Sequence, residues 1–202
     1  MATGAKPLRA DAARNRDKLL AAAAQMFAER GLDAPLEEIA RKAGVSIGTL
    51  YNHFPTREAF FDVIFPERLG ALERIAATAL AADDSWAGFV GFIEGLFTLQ
   101  ATDRGMNDAL AQRFPMSSEV KAACRRGFEQ AERIIERAKD DGVLRADFAS
   151  QDLVTLVWAM SQVIRESMDV APLAWKRHLA FFLDGLRADA TGAGTVPALA
   201  RE

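Results

Sequence analysis

The sequence predicts an all-α protein, with a small three-helix head and a larger helical body that together hold about nine helices. Three observations point to this class. Helix-favouring residues such as Ala, Leu, Glu and Arg are abundant, and runs of β-branched residues are few. Apolar residues recur at helical rather than alternating spacing. Glycine, proline or a capping residue separates successive apolar segments, and the chain has no internal repeat.

Four helices are predicted in the first part of the chain, after a loose arm at residues 1–10. Their predicted bounds are about 11–30, 35–43, 47–54 and 56–81. Gly31 and Gly44 end the first two helices, because glycine readily takes the left-handed conformation of a C-cap. Ser46 caps the third helix, and Thr56 caps the fourth.

Five further helices are predicted in the body. Their bounds are about 83–97, 105–112, 118–141, 150–169 and 172–190. Residues 191–202, which follow the last helix, are rich in Gly, Ala and Pro, and this composition is typical of a flexible tail. The predicted division is therefore linear: a head at 11–60, a body at 61–190, and flexible termini at 1–10 and 191–202.

Composition limits the possible functions. The chain has 202 residues and a formal net charge of −3, so a nucleic-acid partner would have to meet a local basic patch. The single cysteine, Cys124, cannot form an internal disulfide or a cysteine-based metal site. Only two histidines are present, which disfavours a multi-histidine site. We therefore expect no metal and no cofactor.

The hydropathy pattern gives no sign of a membrane segment. Residues 1–18 are polar and of mixed charge, unlike a secretory signal. The longest apolar stretch, 153–164, falls short of the roughly 20 residues that span a bilayer. We expect a cytoplasmic protein without a membrane partner.

The strongest functional pattern is VSIGTLYNHFPTREAF, residues 45–60. Projected at ~100° per residue, the helix at 47–54 has two sides: Ile47, Leu50, Tyr51 and Phe54 on one, and Gly48, Thr49, Asn52 and His53 on the other. Leu50 and Phe54 suffice to hold so short a helix on a core. From residue 39 to residue 57 every charged side chain is basic.

The turn Gly44-Val45-Ser46 joins this helix to the preceding one and completes a helix–turn–helix. In such a unit the second helix enters the major groove of DNA, and its N-terminal residues reach base edges. Tyr, His, Thr and Ser side chains are common phosphate contacts, and Gly48 lets the backbone come close. For any single residue, packing or ordinary surface is the alternative. The spacing, the turn and the absence of acids together favour double-stranded DNA.

The stretch GVSIGTLYNHFPTREAFF resembles the DNA-binding head of TetR-type transcriptional repressors, whose pattern is roughly G-V-S-x-G-T-L-Y-x-H-F-x-S/T-K/R-E-x-L. The matching residues are Gly44, Val45, Ser46, Gly48, Thr49, Leu50, Tyr51, His53, Phe54, Thr56, Arg57 and Glu58. The upstream run AAAAQMFAERGLDAPLEEIARKAG also resembles the first two helices of the family. The resemblance covers about residues 14–65.

The resemblance implies roles for single residues. Tyr51 and His53 would bind phosphates, and Thr49 with the backbone near Gly48 would meet phosphates or base edges. Arg57 would bind backbone phosphate. Ile47 and Asn52 occupy variable positions and would read the sequence, by touching a thymine methyl and an adenine edge. The full DNA-binding set is Ser46, Ile47, Gly48, Thr49, Tyr51, Asn52, His53 and Arg57, with Arg14 and Arg16 as weaker flanking contacts.

The chain departs from the family pattern before the second helix. Relatives often carry Thr-Thr or Thr-Ser there, whereas this chain has Ala34-Pro35. The hydroxyl that would cap the helix and touch phosphate is missing, so Asp33 or bare backbone N–H groups must substitute. No phosphate contact is assigned to this helix start.

The resemblance implies a homodimer and a small-molecule effector pocket in the body. The segment RAKDDGVLRADFASQDLVTLV, residues 137–157, also resembles the subgroup with an SbtR-like C-terminal domain. Broad apolar faces on the last two helices indicate a four-helix dimer interface, with core packing as the alternative. The interface candidates are Leu156, Met160, Val163, Leu179, Phe182 and Leu186. The ligand candidates are Trp86, Phe89, Phe92, Phe97, Met106, Phe114, Phe128, Trp158 and Met160.

Three classes of function were compared. The first is a ligand-released dimeric repressor on a palindromic operator. The second is an enzyme, which lacks support because the sequence has no Ser–His–Asp constellation, phosphate loop or metal spacing. The third is a small-molecule carrier or scaffold without DNA binding, which would not need the acid-free stretch.

Cys124, between basic neighbours, could also sense oxidation if their charge lowered its pKa.

Overall fold

The computed structural model describes residues 5–111 and 118–190, which form nine α-helices. Their bounds are α1 Ala5–Arg30, α2 Leu36–Ala43, α3 Ile47–His53, α4 Arg57–Ala81, α5 Ser85–Thr102, α6 Arg104–Leu110, α7 Ser118–Asp140, α8 Ser150–Ser167 and α9 Ala174–Leu186. Extended pairing within these residues is limited to one bridge between Leu144 and Arg187. The predicted all-α class is confirmed. None of these helices combines the length and apolar character needed to cross a membrane.

Helix α1 begins at Ala5, so it extends into the segment predicted as a loose arm. A proline such as Pro7 costs no helical hydrogen bond there, because the first N–H groups of a helix have no partner within it. Helix α9 begins at Ala174, two residues later than the predicted Pro172. Residues 191–202, the predicted tail, and Phe114, a ligand candidate, lie outside the described residues.

The predicted caps form in the structure. The Ser46 hydroxyl accepts a hydrogen bond from the backbone N–H of Thr49 at 3.1 Å. Thr56 caps α4 through the N–H of Ala59 at 3.3 Å. Asp103 was not predicted as a cap, but its Oδ1 accepts from the N–H of Met106 at 2.9 Å and begins α6. These bonds explain why each helix begins where it does, since the first N–H groups have no helical acceptor.

The described residues divide into two compact units, each built from separate stretches of chain. Unit 1 comprises residues 5–71, 99–111 and 118–125, and unit 2 comprises residues 72–98 and 126–190. Unit 1 therefore contains α1, α2, α3 and α6 and parts of α4, α5 and α7. The predicted head ended near residue 60 and did not include α6.

The core of unit 1 is built around aromatic rings. Phe27 of α1 lies edge-on to Phe60 and Phe61 of α4, with ring centroids 6.1 and 5.3 Å apart. Phe54, at the end of α3, stacks on Phe60 at 4.0 Å. Leu50 of α3 is fully buried in the same cluster. These contacts fix α3 on α1 and α4.

Unit 2 has its own core, contributed by α5, α7, α8 and α9. Phe89 is fully buried and lies edge-on to Phe148, with ring centroids 6.0 Å apart. Arg137 of α7 donates hydrogen bonds to the backbone carbonyls of Leu80 at 2.9 Å and Ala82 at 2.5 Å. These carbonyls lie at the C-terminal end of α4, where they have no helical partner. Arg137 thus serves as a C-cap supplied by another helix.

Replacing Arg137 with Ala should lower the free energy of unfolding of the full chain by about 2 kcal/mol, because half-buried charge-assisted hydrogen bonds to otherwise unpaired carbonyls are lost. Urea denaturation followed by circular dichroism would measure this. Arg133→Ala is the matched control, since Arg133 lies exposed on the same helix, and it should change stability by less than about 0.5 kcal/mol. Equal effects for both variants would contradict the capping role.

Candidate nucleic-acid interface

Helices α2 and α3 form a helix–turn–helix with a well-defined turn. Gly44 ends α2 with φ +69°, a left-handed conformation that favours glycine. The N–H of Val45 then bonds to the carbonyl of Ala40 at 3.0 Å, and the N–H of Gly44 to that of Arg41 at 3.1 Å. Ser46 is extended and caps α3. The geometry agrees with the turn predicted from sequence.

Helix α3 is held by two residues and leaves most of its surface outward. Leu50 is fully buried and Phe54 is 2% exposed. Tyr51 is 46% exposed and Ile47 is 38% exposed, although the helical projection placed both on the same side as Leu50 and Phe54. Their exposure agrees with the expectation that Leu50 and Phe54 suffice to hold the helix and leaves both residues accessible.

The other predicted residues of α3 form a mostly exposed polar surface. Gly48 and Asn52 are exposed, whereas Thr49 and His53 are half-buried. The hydroxyls of Ser46 and Thr49 lie 2.9 Å apart and share a hydrogen bond. We use the name "outer face of α3" for the exposed set: Ser46, Ile47, Gly48, Tyr51 and Asn52. This face contains no acidic residue.

Arg57 is the first residue of α4, where the sequence predicted it, and it makes contacts within the protein. It is half-buried, and its Nη1 donates to the backbone carbonyls of Leu32 and of Ala34, the latter at 2.6 Å. The guanidinium therefore fixes the loop between α1 and α2. This positioning role was not predicted, and the phosphate contact of Arg57 stays a prediction.

The start of α2 lacks a side-chain cap, as the sequence predicted. Pro35 is the N-cap residue, and no side chain, that of Asp33 included, accepts from the first N–H groups of α2. Arg57 fixes the carbonyls just before this helix start. The position of α2 therefore depends on a side chain from α4.

Charges around the helix–turn–helix are unevenly paired. Arg14 pairs with Asp11, and the Arg16 guanidinium lies 5.4 Å from the centre of the Phe54 ring. Arg41 lies 3.6 Å from the Glu38 carboxylate. Lys42 is exposed and makes no ion pair with any residue that the structure describes. Both predicted flanking arginines thus have partners within the protein, whereas Lys42, which was not among the predicted DNA contacts, is exposed.

The ligand candidates do not form one group. Phe89, Phe92 and Phe97 of α5 are buried in the chain, with Trp86 half-buried 5.7 Å from Phe89. Met106 belongs instead to the core of unit 1. Two other candidates are more exposed than the buried residues of α5: Trp158 is 49% exposed, and Phe128 is half-buried. Met106 and Trp158 therefore lie apart from the buried aromatic residues of α5, Met106 in the core of unit 1 and Trp158 at the surface.

The predicted dimer residues lie largely inside the chain. Leu156, Met160, Leu179 and Leu186 are each at most 6% exposed, and Val163 and Phe182 are half-buried. The broad apolar faces are therefore chiefly core, which was the alternative. The large exposed residues on the same helices are Trp158 on α8 and Phe181 on α9, at 49% and 62%. A search for aromatic residues off the apolar face would have found them.

Cys124 is a poor candidate for an oxidation sensor. Burial raises the pKa of its thiol, so the reactive thiolate is less populated at neutral pH than in a free cysteine. The lowering of this pKa that nearby arginines could have caused is not found, because desolvation of the charged form shifts the pKa upward. No group of three or more His, Cys, Asp or Glu side chains within residues 5–111 and 118–190 could hold a metal ion.

The fold and the outer face of α3 define a class: helix–turn–helix DNA-binding transcriptional regulators with a helical body. Two family models match the chain. Residues 19–64 match "Bacterial regulatory proteins, tetR family", and residues 84–188 match "Transcriptional regulator SbtR-like, C-terminal domain". The chain belongs to the TetR family. Both the family and the subgroup agree with the resemblance seen in the sequence.

Individual relatives agree with the assignment. The repressor KstR2 of Rhodococcus jostii is 30% identical over 85% of this chain and 90% of its own length. The uncharacterised regulator TtgW of Pseudomonas putida is 33% identical over 43% of this chain, and the match covers 65% of TtgW. The crystal structure of the TetR regulator SCO0520 of Streptomyces coelicolor is 30% identical with a TM-score of 0.55, covering 85% of this chain and 98% of that one.

Replacing Ser46 with Ala should lower the free energy of unfolding by about 1 kcal/mol, because the N–H of Thr49 loses its acceptor. Thermal or urea unfolding would measure the change. Ser46→Asn is the matched control, since asparagine caps a helix about as well as serine. A loss of similar size in the Asn variant would show that the cap is not the cause.

Proposed function

We propose that this protein is a dimeric repressor that binds a palindromic DNA operator and is released by a small-molecule effector. One observation carries the DNA-binding part. Leu50 and Phe54 anchor α3 in the core of unit 1, and the outer face of α3 stays exposed and free of acids. A rigid helix that presents polar groups at fixed pitch fits the major groove.

The outer face divides into two kinds of contact. The hydroxyls of Tyr51 and Ser46 bind phosphates. The half-buried Thr49 and His53, at the edge of the outer face, add further phosphate contacts. Ile47 and Asn52 read base edges, because an isoleucine can touch a thymine methyl and an asparagine can bond an adenine edge. Gly48 leaves room for close approach of the backbone. Lys42 adds an exposed cation in the last turn of α2, and it makes no ion pair with any described residue.

A dimer follows from the length of operator that one head can read. One α3 spans only a few base pairs, so two heads in successive major grooves, ~34 Å apart or a multiple of that, give the specificity a repressor needs. A two-fold axis then makes the operator palindromic. Trp158 and Phe181 support α8 and α9 as the dimer face.

Trp158 and Phe181 each lie in a stripe of exposed residues at helical spacing. The stripe on α8 is Gln151, Thr155, Trp158 and Gln162, and the stripe on α9 is Ala174, Arg177, Phe181 and Gly185. Other exposed residues flank the stripes, among them Ala159 on α8 and Lys176, His178, Ala180 and Asp184 on α9. Aromatic anchors among small and polar residues are typical of interface centres. The Arg177 guanidinium carbon lies 4.9 Å from the centre of the Phe181 ring, within range of a cation–π contact.

We place the effector in unit 2, beside the aromatic residues of α5. Phe89, Phe92 and Phe97 suit an apolar ligand. Release requires that the effector bind better to a conformation whose heads are wrongly spaced, and the coupling must be reciprocal. Helices α4, α5 and α7 each contribute residues to both units, and α4 is the one that follows directly on the helix–turn–helix.

The first experiment is fluorescence anisotropy of the purified protein on random duplex DNA over a salt series, followed by selection of bound sequences. Binding that weakens steeply with salt reports phosphate contacts through counterion release. Recovery of a palindromic site supports the dimeric repressor. No binding above background by ligand-free dimeric protein would reject it and leave a DNA-free carrier as the alternative.

Variants of the outer face should separate phosphate contact from base readout. Tyr51→Phe should weaken all duplexes alike, by about 0.5–1.5 kcal/mol per head, because one hydrogen bond to phosphate is lost. Asn52→Ala should cost about 1–3 kcal/mol on the selected site alone. Competition binding with selected and scrambled duplexes measures both. An Asn52→Ala protein with unchanged sequence preference would remove the readout assignment.

The proposed dimer face can be tested by charge insertion. Trp158→Glu or Phe181→Glu should convert the dimer to a monomer at micromolar concentration, because a carboxylate would be buried without a partner at the interface. Sedimentation equilibrium measures the mass. Val63→Glu is the matched control, since Val63 is an exposed apolar residue of α4 in unit 1. A dimer that survives both Glu substitutions would place the interface elsewhere.

A further inference from the structure

Helix α6 follows the predicted head by many residues in sequence, yet it packs in unit 1 against α1. Two charged side chains accompany this packing, the half-buried Arg68 of α4 and the buried Asp108 of α6. Both bind backbone groups of α1 or of the loop that follows it. A charge removed from water costs free energy unless directional bonds compensate, and these two side chains make such bonds.

Arg68 joins three helices of unit 1. Its side chain is 15% exposed, and its Nε lies 3.0 Å from Oδ2 of Asp103, the residue that caps α6. Its Nη2 donates to the carbonyl of Ala24 in α1 at 2.8 Å. Desolvation lowers the pKa of Arg68, and the Asp103 carboxylate opposes this effect. The guanidinium thus ties the start of α6 to the middle of α1.

Asp108 makes the second connection, near the other end of α6. Asp108 is 4% exposed, and its Oδ2 accepts a hydrogen bond from the backbone N–H of Leu32 at 2.9 Å. Gly31 permits this approach, because a Cβ there would lie 2.4 Å from Oδ2 and the φ of +83° favours glycine. The glycine that ends α1 therefore also makes room for a carboxylate from α6.

Both backbone groups of Leu32 are thereby held by charged side chains from other helices. Asp108 of α6 holds its N–H, and Arg57 of α4 holds its carbonyl. Leu32 is 1% exposed and lies in the loop that leads into α2, whose start has no side-chain cap. Apolar packing alone would let this loop shift, whereas directional bonds to both groups of one residue select one position.

We infer that α6 is part of the DNA-reading unit and that Asp108 and Arg68 are positioning residues for DNA binding. This inference rests on the proposed function. The loop at Leu32 sets where α2 starts, and the turn at Gly44 carries that position on to α3. Loss of either contact leaves the residues of the outer face of α3 unchanged, but the helix is no longer held in one orientation. DNA binding must then also order the helix, and the free-energy cost of this ordering weakens the affinity.

The test uses the full-length protein and the duplex recovered by selection. Asp108→Ala removes the acceptor for the Leu32 N–H and should raise Kd at least about tenfold. Asp108→Asn keeps a neutral acceptor and should bind within about threefold of wild type. Asp147→Ala is the control, because Asp147 is an exposed aspartate of unit 2, and its Kd should not change.

Three measurements separate positioning from simple loss of folding. Stoichiometric titration gives the active fraction, a salt series gives the number of phosphate contacts, and competition with scrambled DNA gives the sequence preference. Positioning predicts a raised Kd with an unchanged active fraction, and an unchanged salt slope and sequence preference. A reduced active fraction with wild-type Kd in the remainder would mean that Asp108 serves folding alone, and would overturn the inference.

Two further outcomes are decisive. If Asp108→Asn binds as weakly as Asp108→Ala, the bond to Leu32 is not the cause and the inference fails. If Asp108→Ala does not fold, Arg68→Lys takes its place, because lysine lacks the planar fork whose separate Nε and Nη2 atoms reach Asp103 and Ala24 at the same time. It should raise Kd several-fold, and wild-type affinity would overturn the inference. Absence of DNA binding by the wild type would instead reject the proposed function itself.

Discussion

The burial of Leu50 and Phe54 is the constraint on which the DNA-facing surface depends. Helix α3 has seven residues, and isolated helices shorter than about 12–15 residues are marginal in water. It exists because Leu50 is enclosed by the core of unit 1 and Phe54 stacks on Phe60 at 4.0 Å. Two side chains meet this need, so the remaining positions of α3 are free to carry polar groups.

Charged side chains complete what apolar packing leaves open in unit 1. Arg57, Arg68 and Asp108 each bind backbone groups of α1 or of the loop after it. Arg137 does the same for the end of α4 in unit 2. For Arg57, Asp108 and Arg137, a backbone group without a helical partner is satisfied by a side chain from another helix, as buried backbone requires. The Ala24 carbonyl that Arg68 binds lies within α1. Charge is used here to fix position as well as to attract a partner.

Local patterns predicted well those features that depend on neighbouring residues. The glycines that end α1 and α2, the Ser46 and Thr56 caps and the missing cap at Pro35 all act within a few residues, so the sequence was sufficient. Helical projection placed Ile47, Leu50, Tyr51 and Phe54 on one side of α3, and the two predicted anchors, Leu50 and Phe54, are the ones that the core buries. How much of that side is enclosed depends on the neighbours that surround the helix, which a projection of one helix does not contain.

The sequence by itself determined the helical class, the helix–turn–helix and its polar outer face, because spacing, capping and local charge are properties of short segments. Only the tertiary structure decided that α6 packs with the head, that Arg57 binds backbone at Leu32 and Ala34, and that Trp158 and not Met160 faces outward. These outcomes depend on contacts between residues far apart in the chain. No local pattern encodes which distant group will lie beside a given side chain.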